Sequence, residues 1–446
     1  MKQVAVLVPG LMGSQLAYNG EVIWPGPVGQ LWLPYGKMAE LLHEDLVATD
    51  IIRDVLISSQ YSTLIEDLAT CAFRETDDPP TLLLFPYDWR KDNRQAARLL
   101  ADLIDRTVNQ HGGQAELSIV AHSMGGLISR YYLESGEFAN RPGMKAIRQL
   151  ITLGTPHRGS PIALSAARGQ EKRLWLNADQ VLKIVSDPRY PSIYQLLPPK
   201  GEPFAWNRDS KAQYEPIDIY DPPVAKGLGL VEANLQSAMS FQAKLNHANR
   251  PTHVRYFTFV GTRQTMVSHV LMRKDGATYH VDKVEPEDAG DGTVPAWSGT
   301  LTGLQGRPVG GEHGTIYQND DLRRTLAGLL GKQGVLAAAA APIEVAIRER
   351  VCHPNDSVHL ALTFPSGSKG LNGELRVERA IFDDQQKFKE FSTPASHVLK
   401  YSGLAAEKLS IILDAPTRPG IYRIAFYHAG EQNPAGEDEL FVQGDV

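Results

Sequence analysis

Residues 119–133 read IVAHSMGGLISRYYL, and the fold turns on how Ser123 is held in that stretch. Before it, "LSIV" ending at Val120 is a short apolar run of strand type. After it, Leu127, Tyr131 and Tyr132 recur at helical spacing, and Gly136 supplies a stop. A strand that ends abruptly into a helix lifts the serine between them to the apex of a strained turn, with its hydroxyl exposed. The residues two before and two after that serine crowd each other across the turn, so both must be small. Ala121 and Gly125 meet that need, although the usual pattern has glycine at the first of the two. Small-Ser-small turns also arise by chance, so the stretch gains meaning only from what surrounds it.

The surrounding chain alternates strand-like and helix-like segments, the pattern of an α/β fold with a mostly parallel sheet. "VAVLVPG" predicts a first strand ending at Gly10, "STLIEDLATC" a helix, and "TLLLFPYDWR" a strand with its exit loop. "NRQAARLLADLIDRTVNQHGG" predicts a long helix with Asn93 as its cap and Gly112 as its stop. "IRQLITLGTP" and "HVRYFTFVGT" are further strands, and "DDLRRTLAGLLG" is a last helix. Two regions break the rhythm, residues 20–45 and 165–230. Both are rich in proline, and long insertions of this kind in an α/β protein usually cover the site, so both are expected to be lid or cap material.

The chain has 446 residues, enough for two or three domains. Its hydrophobic content of 42% is that of an ordinary globular protein, and its net charge of −6 argues against a nucleic-acid partner. There are only two cysteines, Cys71 and Cys352, which excludes a disulfide framework and fits a reducing compartment. The N-terminal apolar run is too short to span a membrane and passes at once into the turn "PGLMGS", so it is expected to be a strand rather than a signal peptide. A cytoplasmic location follows as an expectation.

An alanine run ended by Pro342 marks a boundary. The expected organisation is an α/β domain over 1–332, a linker over 333–342 and a second domain over 343–446. In that last part, runs such as "VHLALTFP", "ELRVERAIF", "LSIILDAP" and "GIYRIAFYHAG" are short strands separated by turns, which predicts an all-β sandwich of immunoglobulin type.

A serine hydroxyl is a poor nucleophile at neutral pH. It needs a base to take its proton, and the base needs a carboxylate to hold its tautomer and stabilise its charged form. In an α/β-hydrolase these follow in the order serine, acid, histidine. "EDAGDGTVPAWSG" supplies Asp291 between two glycines, with Glu287 and Asp288 as rivals in a solvated acidic stretch. "VGGEHGTIY" supplies His313, flanked by Gly310, Gly311 and Gly314. His157 in "TPHRGSP" is the nearest competitor, and His122 should point away from Ser123. An oxyanion hole needs two backbone N–H groups, one from the residue after the nucleophile and one from the loop after the first strand. Met124 fills the first place, and Met12 or Leu11 the second.

"VLVPGLMGSQL", "FPYDWR", "AHSMGG", "LGTPHRGSP", "PSIYQLLP", "GDGTVP" and "GEHGTIY" together resemble the lecithin–cholesterol acyltransferase family, over roughly residues 3–330. The resemblance implies an α/β-hydrolase fold and acyl-enzyme chemistry on lipid esters. By motif position it implies Ser123 as nucleophile, Asp291 as acid, His313 as base and Met12 as oxyanion donor. The Asp88–Arg90 block is a hallmark of the family and is expected to be a loop-fixing ion pair. Two departures stand out. Ala121 replaces the family's usual glycine, and the cysteine pair that closes a lid in secreted members is missing from residues 20–45.

The expected function is therefore a serine acyl hydrolase, an esterase or phospholipase, needing no cofactor and no metal. Its partners would be a lipid or other ester and, through the lid candidates Trp24 and Trp32, the surface of a membrane. Those tryptophans could equally fill the core of the cap. An acyltransferase, in which an alcohol replaces water, is the second reading. A binding protein on an inactive hydrolase scaffold is the third, with the sandwich's own partner unknown.

Overall fold

A computed structural model describes residues 1–26, 35–55, 58–172, 176–211, 214–304, 306–332, 343–348, 350–383 and 388–444. The 333–342 linker and Trp32 lie outside the described residues.

Among the described residues six strands form the central sheet, and every pair in it is parallel. From one edge to the other they are Gly306–Gly310, Arg255–Thr262, Ile147–Leu153, Ala115–His122, Lys2–Val8 and Leu82–Leu84. Such strands are covered on both faces and read as continuous apolar runs. Val4 to Val8 and Ile119 to Ala121 are buried without exception. The chain starts at Lys2–Val8, steps outward to Leu82–Leu84, then crosses back to Ala115–His122 on the other side. That reversal opens a crevice at the carboxyl ends of Lys2–Val8 and Ala115–His122, where ligands bind in open α/β sheets. Val8 is in register with Ala121, so the turn after each strand emerges beside the other.

The predicted helices are present at Ser62–Thr70, Asn93–Gln110, Met124–Glu134 and Asp320–Leu329. The long helix starts one residue earlier than expected. Asp92, not Asn93, is its cap, accepting from the Arg94 amide at 2.9 Å. The edge strand Gly306–Gly310 has no counterpart in the expectation, because "GRPVG" lacks an apolar run. Residues 165–230 are less irregular than their proline content suggests. Asn177 and Gln180 form a reciprocal capping box that starts the helix Ala178–Val185.

Arg90 is completely buried and ties the early insertion to the core. It forms a two-pronged pair with Asp88 at 2.8 and 2.6 Å, donates to the carbonyls of Leu41 and His43, and lies over the Tyr190 ring at 4.5 Å. A planar guanidinium suits such a multiply bonded, stacked site, where a lysine would not. The Asp88–Arg90 block is thus the loop-fixing pair expected of it.

The C-terminal residues form a separate curled β-sheet. Its strands are longer than the sequence suggested. "VHLALTFP" and "ELRVERAIF" lie on one strand, Ser357–Phe382, and "HVLKYSG" and "LSIILDAP" on another, Ala395–Asp414. The two pair antiparallel, with register shifts between Thr363 and Gly370. Bulges of this kind bend a strand where a turn would otherwise be needed. The first half of Ser357–Phe382 also pairs with Glu344–Ile347 and the second half with Gly420–His428. Leu360, Leu362, Leu375, Ile424, Phe426 and Val442 fill the concave core.

Candidate active site

Ser123 follows the strand Ala115–His122 and precedes the helix Met124–Glu134, with φ 52° and ψ −125°. A non-glycine residue in that region is strained and persists only where its surroundings hold it. Here the Ser123 amide donates to the Leu153 carbonyl at 2.9 Å, and the Ser123 carbonyl accepts from Thr155 Oγ1 at 3.0 Å. The helix must leave the turn very close to the first strand. A Cβ at Gly125 would stand 2.5 Å from the carbonyl oxygens of Val8 and Pro9, so this position admits only glycine without movement.

His313 opens a short 3₁₀ turn, His313–Gln318, after the edge strand Gly306–Gly310. Its Nε2 lies 2.8 Å from Ser123 Oγ, and its Nδ1 lies 2.8 Å from Asp291 Oδ2. Asp291 is fully buried, which would raise the cost of its charge were it not paired. Its other oxygen accepts from the amides of Thr293 at 3.0 Å and Val294 at 2.6 Å. The Asp291 carbonyl also accepts from the His313 amide at 2.8 Å, so backbone and side chain both fix the pair. Close approach again demands glycine. A Cβ at Gly261 would sit 2.4 Å from the Asp291 Cβ. The rivals are elsewhere. Glu287 and Asp288 are exposed, and buried His157 pairs with Thr152 Oγ1 at 3.1 Å.

Met12 and Met124 flank this site, both buried. Met12 has φ 63°, and its carbonyl accepts from the indole of Trp24 at 3.0 Å. Trp24 is completely buried and stacks edge-on against Trp89 at 5.2 Å. It is therefore a core residue beneath the Met12 turn, not a surface of a lid. An indole N–H that must find a partner when buried explains why a tryptophan serves there.

His122 and Tyr61 were not assigned roles from the sequence. The His122 ring reaches Tyr61 Oη through Nδ1 at 2.8 Å and the His313 carbonyl through Nε2 at 2.9 Å. The Tyr61 oxygen accepts from the Gly10 amide at 2.8 Å. Since a carbonyl can only accept, Nε2 carries the proton, and Nδ1 accepts from the Tyr61 hydroxyl. Burial, and then the neighbouring His313, push His122 down to about 3. It is neutral, and it links the loop after the first strand to the turn of His313. No local pattern points to Tyr61, which lies 61 residues before its partner.

Residues 46–250 match the Lecithin:cholesterol acyltransferase family. The resemblance carried by the motifs is thereby shown over that span. Among solved structures, the Tle4–Tli4 complex is similar at 16% identity over 74% of this chain and 98% of that one, with a TM-score of 0.52. This likeness shows the fold, an α/β-hydrolase. The mature Bacillus licheniformis lipase BlEst2 is 16% identical over 74% of this chain and 92% of its own, with a TM-score of 0.36. The phospholipase PlaB from Legionella pneumophila is 10% identical over 98% of this chain and 90% of its own, with a TM-score of 0.28. A comparison with curated proteins finds no match.

Proposed function

We propose that this chain is a serine acyl hydrolase that cleaves carboxylic esters of lipid type through an acyl-enzyme on Ser123. The observation that carries this reading is the unbroken chain Ser123 Oγ–His313–Asp291, with 2.8 Å at each link. Ser123 Oγ attacks the ester carbonyl and its proton passes to His313 Nε2. Asp291 stabilises the imidazolium that forms, while its own charge is held by the Thr293 and Val294 amides. In this reading the negative oxygen of the tetrahedral intermediate is received by the amides of Met12 and Met124. Collapse breaks the ester bond, and His313 returns the proton to the leaving alcohol. Water, deprotonated by His313, then releases the acid and restores Ser123.

The family match favours a second reading, in which an acceptor alcohol takes the place of water. The two readings share every residue above and differ only in the nucleophile of the second half-reaction. The lipid class of substrate is likewise inferred from the family. The low cysteine count, with only Cys71 and Cys352, favours a reducing compartment.

The experiment is an acyl-chain-length series of p-nitrophenyl esters and phosphatidylcholine, run on wild type and Ser123→Ala with and without an added alcohol. Wild type should turn over long chains, and Ser123→Ala should lose about 10⁴-fold or more in kcat. An acylated alcohol among the products assigns the transferase reading. Turnover that survives Ser123→Ala removes Ser123 as nucleophile, and absence of turnover on all of them favours a binding role.

A further inference from the structure

The C-terminal sheet touches the α/β domain beside the base. Arg350, from this sheet, pairs with Glu312, the residue immediately before His313. The same guanidinium pairs with Asp438 at 2.8 Å. Asp438 is in turn fixed by the amides of Ile347 and Glu439, each at 2.8 Å, and the Arg350 carbonyl accepts from the Phe441 amide at 2.7 Å. Arg350, in the bend before the strand Val351–Cys352, is thus tied to the sheet by its carbonyl and through Asp438. Two residues earlier, Arg348 pairs with Glu285, on the segment that leads to Asp291. The contact is also apolar. Ala380, Ile421 and Phe441 belong to the same continuous hydrophobic cluster as the α/β core, and Val351, Phe382 and Phe391 pack against it.

We propose that the C-terminal sheet is a structural part of the active site, and that Arg350 is a positioning residue which sets the His313 turn through Glu312. The physical argument is geometric. His313 lies in a glycine-flanked turn, with positive φ at Gly311, whose backbone has little stiffness of its own. Its side chain must meet Ser123 and Asp291 at once. A partly buried hydrogen-bonded contact on the adjacent residue, anchored to a sheet through Asp438, adds to the hold that the Asp291 carbonyl and His122 have on the His313 backbone. A misplacement of the base by about 1 Å can cost on the order of 100-fold in rate. The proposal rests on the reading of His313 as the base.

The test uses the full chain with Arg350→Met, Arg350→Lys and Glu312→Ala. The rate of fluorophosphonate reaction at Ser123 is measured together with kcat and KM on a soluble short-chain ester. The low-field proton resonance of His313 Nδ1 is recorded by NMR. Folding is checked by circular dichroism. Arg350→Met should slow fluorophosphonate reaction and kcat by about tenfold or more, leave KM within about twofold, and shift or broaden the His313 resonance. Arg350→Lys should recover part of the rate. A folded Arg350→Met with wild-type acylation rate and an unmoved resonance overturns the proposal. If Arg350→Met does not fold, Glu312→Ala decides, since it removes the group through which Arg350 reaches the His313 turn, whatever its charge. A rate and resonance unchanged in that variant also overturn it. Should wild type itself fail to react with fluorophosphonate, the serine-hydrolase reading fails, and the His313 resonance still reports on positioning by Arg350.

Discussion

Ser123 carries strain that it does not relieve locally, so the residues that hold it are as informative as the serine. Thr155 Oγ1 grips its carbonyl from behind, and the Leu153 carbonyl takes its amide. The His122 side chain, next in line, turns the opposite way and bonds to Tyr61 and to the turn of His313. This chain joins three separate pieces, the Gly10 loop, the elbow and the base turn. Tyr61→Phe removes one hydroxyl and strands two buried partners, the Gly10 amide and His122 Nδ1. Each orphaned group costs about 1–3 kcal/mol. The variant should be destabilised by that order in urea unfolding, and should lose activity in kcat rather than in KM. Wild-type stability and kcat in Tyr61→Phe would show that the hydroxyl merely fills space. The same network sets an acid limit. The folded state depresses His122 from an ordinary value near 6.5 to about 3, so it contributes stability above 6.5 that is lost as pH falls toward 3. Acid unfolding monitored by fluorescence should therefore be shallower in His122→Asn, whose side chain does not titrate in that range. An identical acid profile in that variant would remove His122 as the cause.

At the scale of elements, the site is assembled by backbones that come unusually close. The strand Arg255–Thr262 passes so near the acid loop that only a glycine fits at position 261, with 2.4 Å between its absent Cβ and that of Asp291. Gly261→Ala should push Asp291 off His313 Nδ1 and lower kcat by on the order of 100-fold, with a smaller effect on melting temperature. Calorimetry and steady-state kinetics on the one variant decide this. A loss in melting temperature that accounts for all lost activity would mean that the strand, and not the acid, had moved. Much of this assembly was legible in the sequence. The buried parallel strands announce themselves as apolar runs, and the site residues follow from chain order and flanking glycines at Asp291 and His313. What was hidden lacks a local signature. The strand Gly306–Gly310 contains only one buried residue, Val309, and is stabilised by pairing with Arg255–Thr262. The long C-terminal strands looked like shorter ones because bulges near Thr363–Gly370 interrupt the alternation. Trp24 looked like a lid residue because its neighbours are proline and glycine, whereas its partner, the Met12 carbonyl, becomes a neighbour only after folding.

Across the whole molecule, the junction between the α/β core and the C-terminal sheet is where electrostatics and packing meet. Glu312 and Asp438 converge there on one guanidinium, Arg350, with Glu344, Asp291, Tyr317 and Arg263 nearby. Burial raises the Glu312, Glu344 and Asp438 carboxyls, and repulsion from neighbouring carboxylates adds to it at Glu312 and Glu344, while Arg350 opposes the rise at Glu312 and Asp438. For Glu312 the result is a value pushed up from 4.5 to about 8. The sign follows from linkage. A carboxyl raised in the folded state binds its proton there more tightly than in the unfolded chain. Its contribution is complete below about 4.5 and is lost as pH rises through about 8. The junction should therefore loosen toward alkaline pH, the opposite of the loss expected from His122 on the acid side. Because the apolar cluster runs through both parts of the molecule, loosening should register in the main unfolding transition and not as a separate event at lower temperature. Melting temperature measured by calorimetry across this range should fall with pH in wild type. It should fall less steeply in Glu312→Gln, in which that one carboxyl no longer titrates. Parallel curves for the two proteins would mean that Glu312 stays ionised throughout, held so by Arg350. The junction would then owe its stability to the ion pair and to Val351, Ile421 and Phe441, and not to a retained proton.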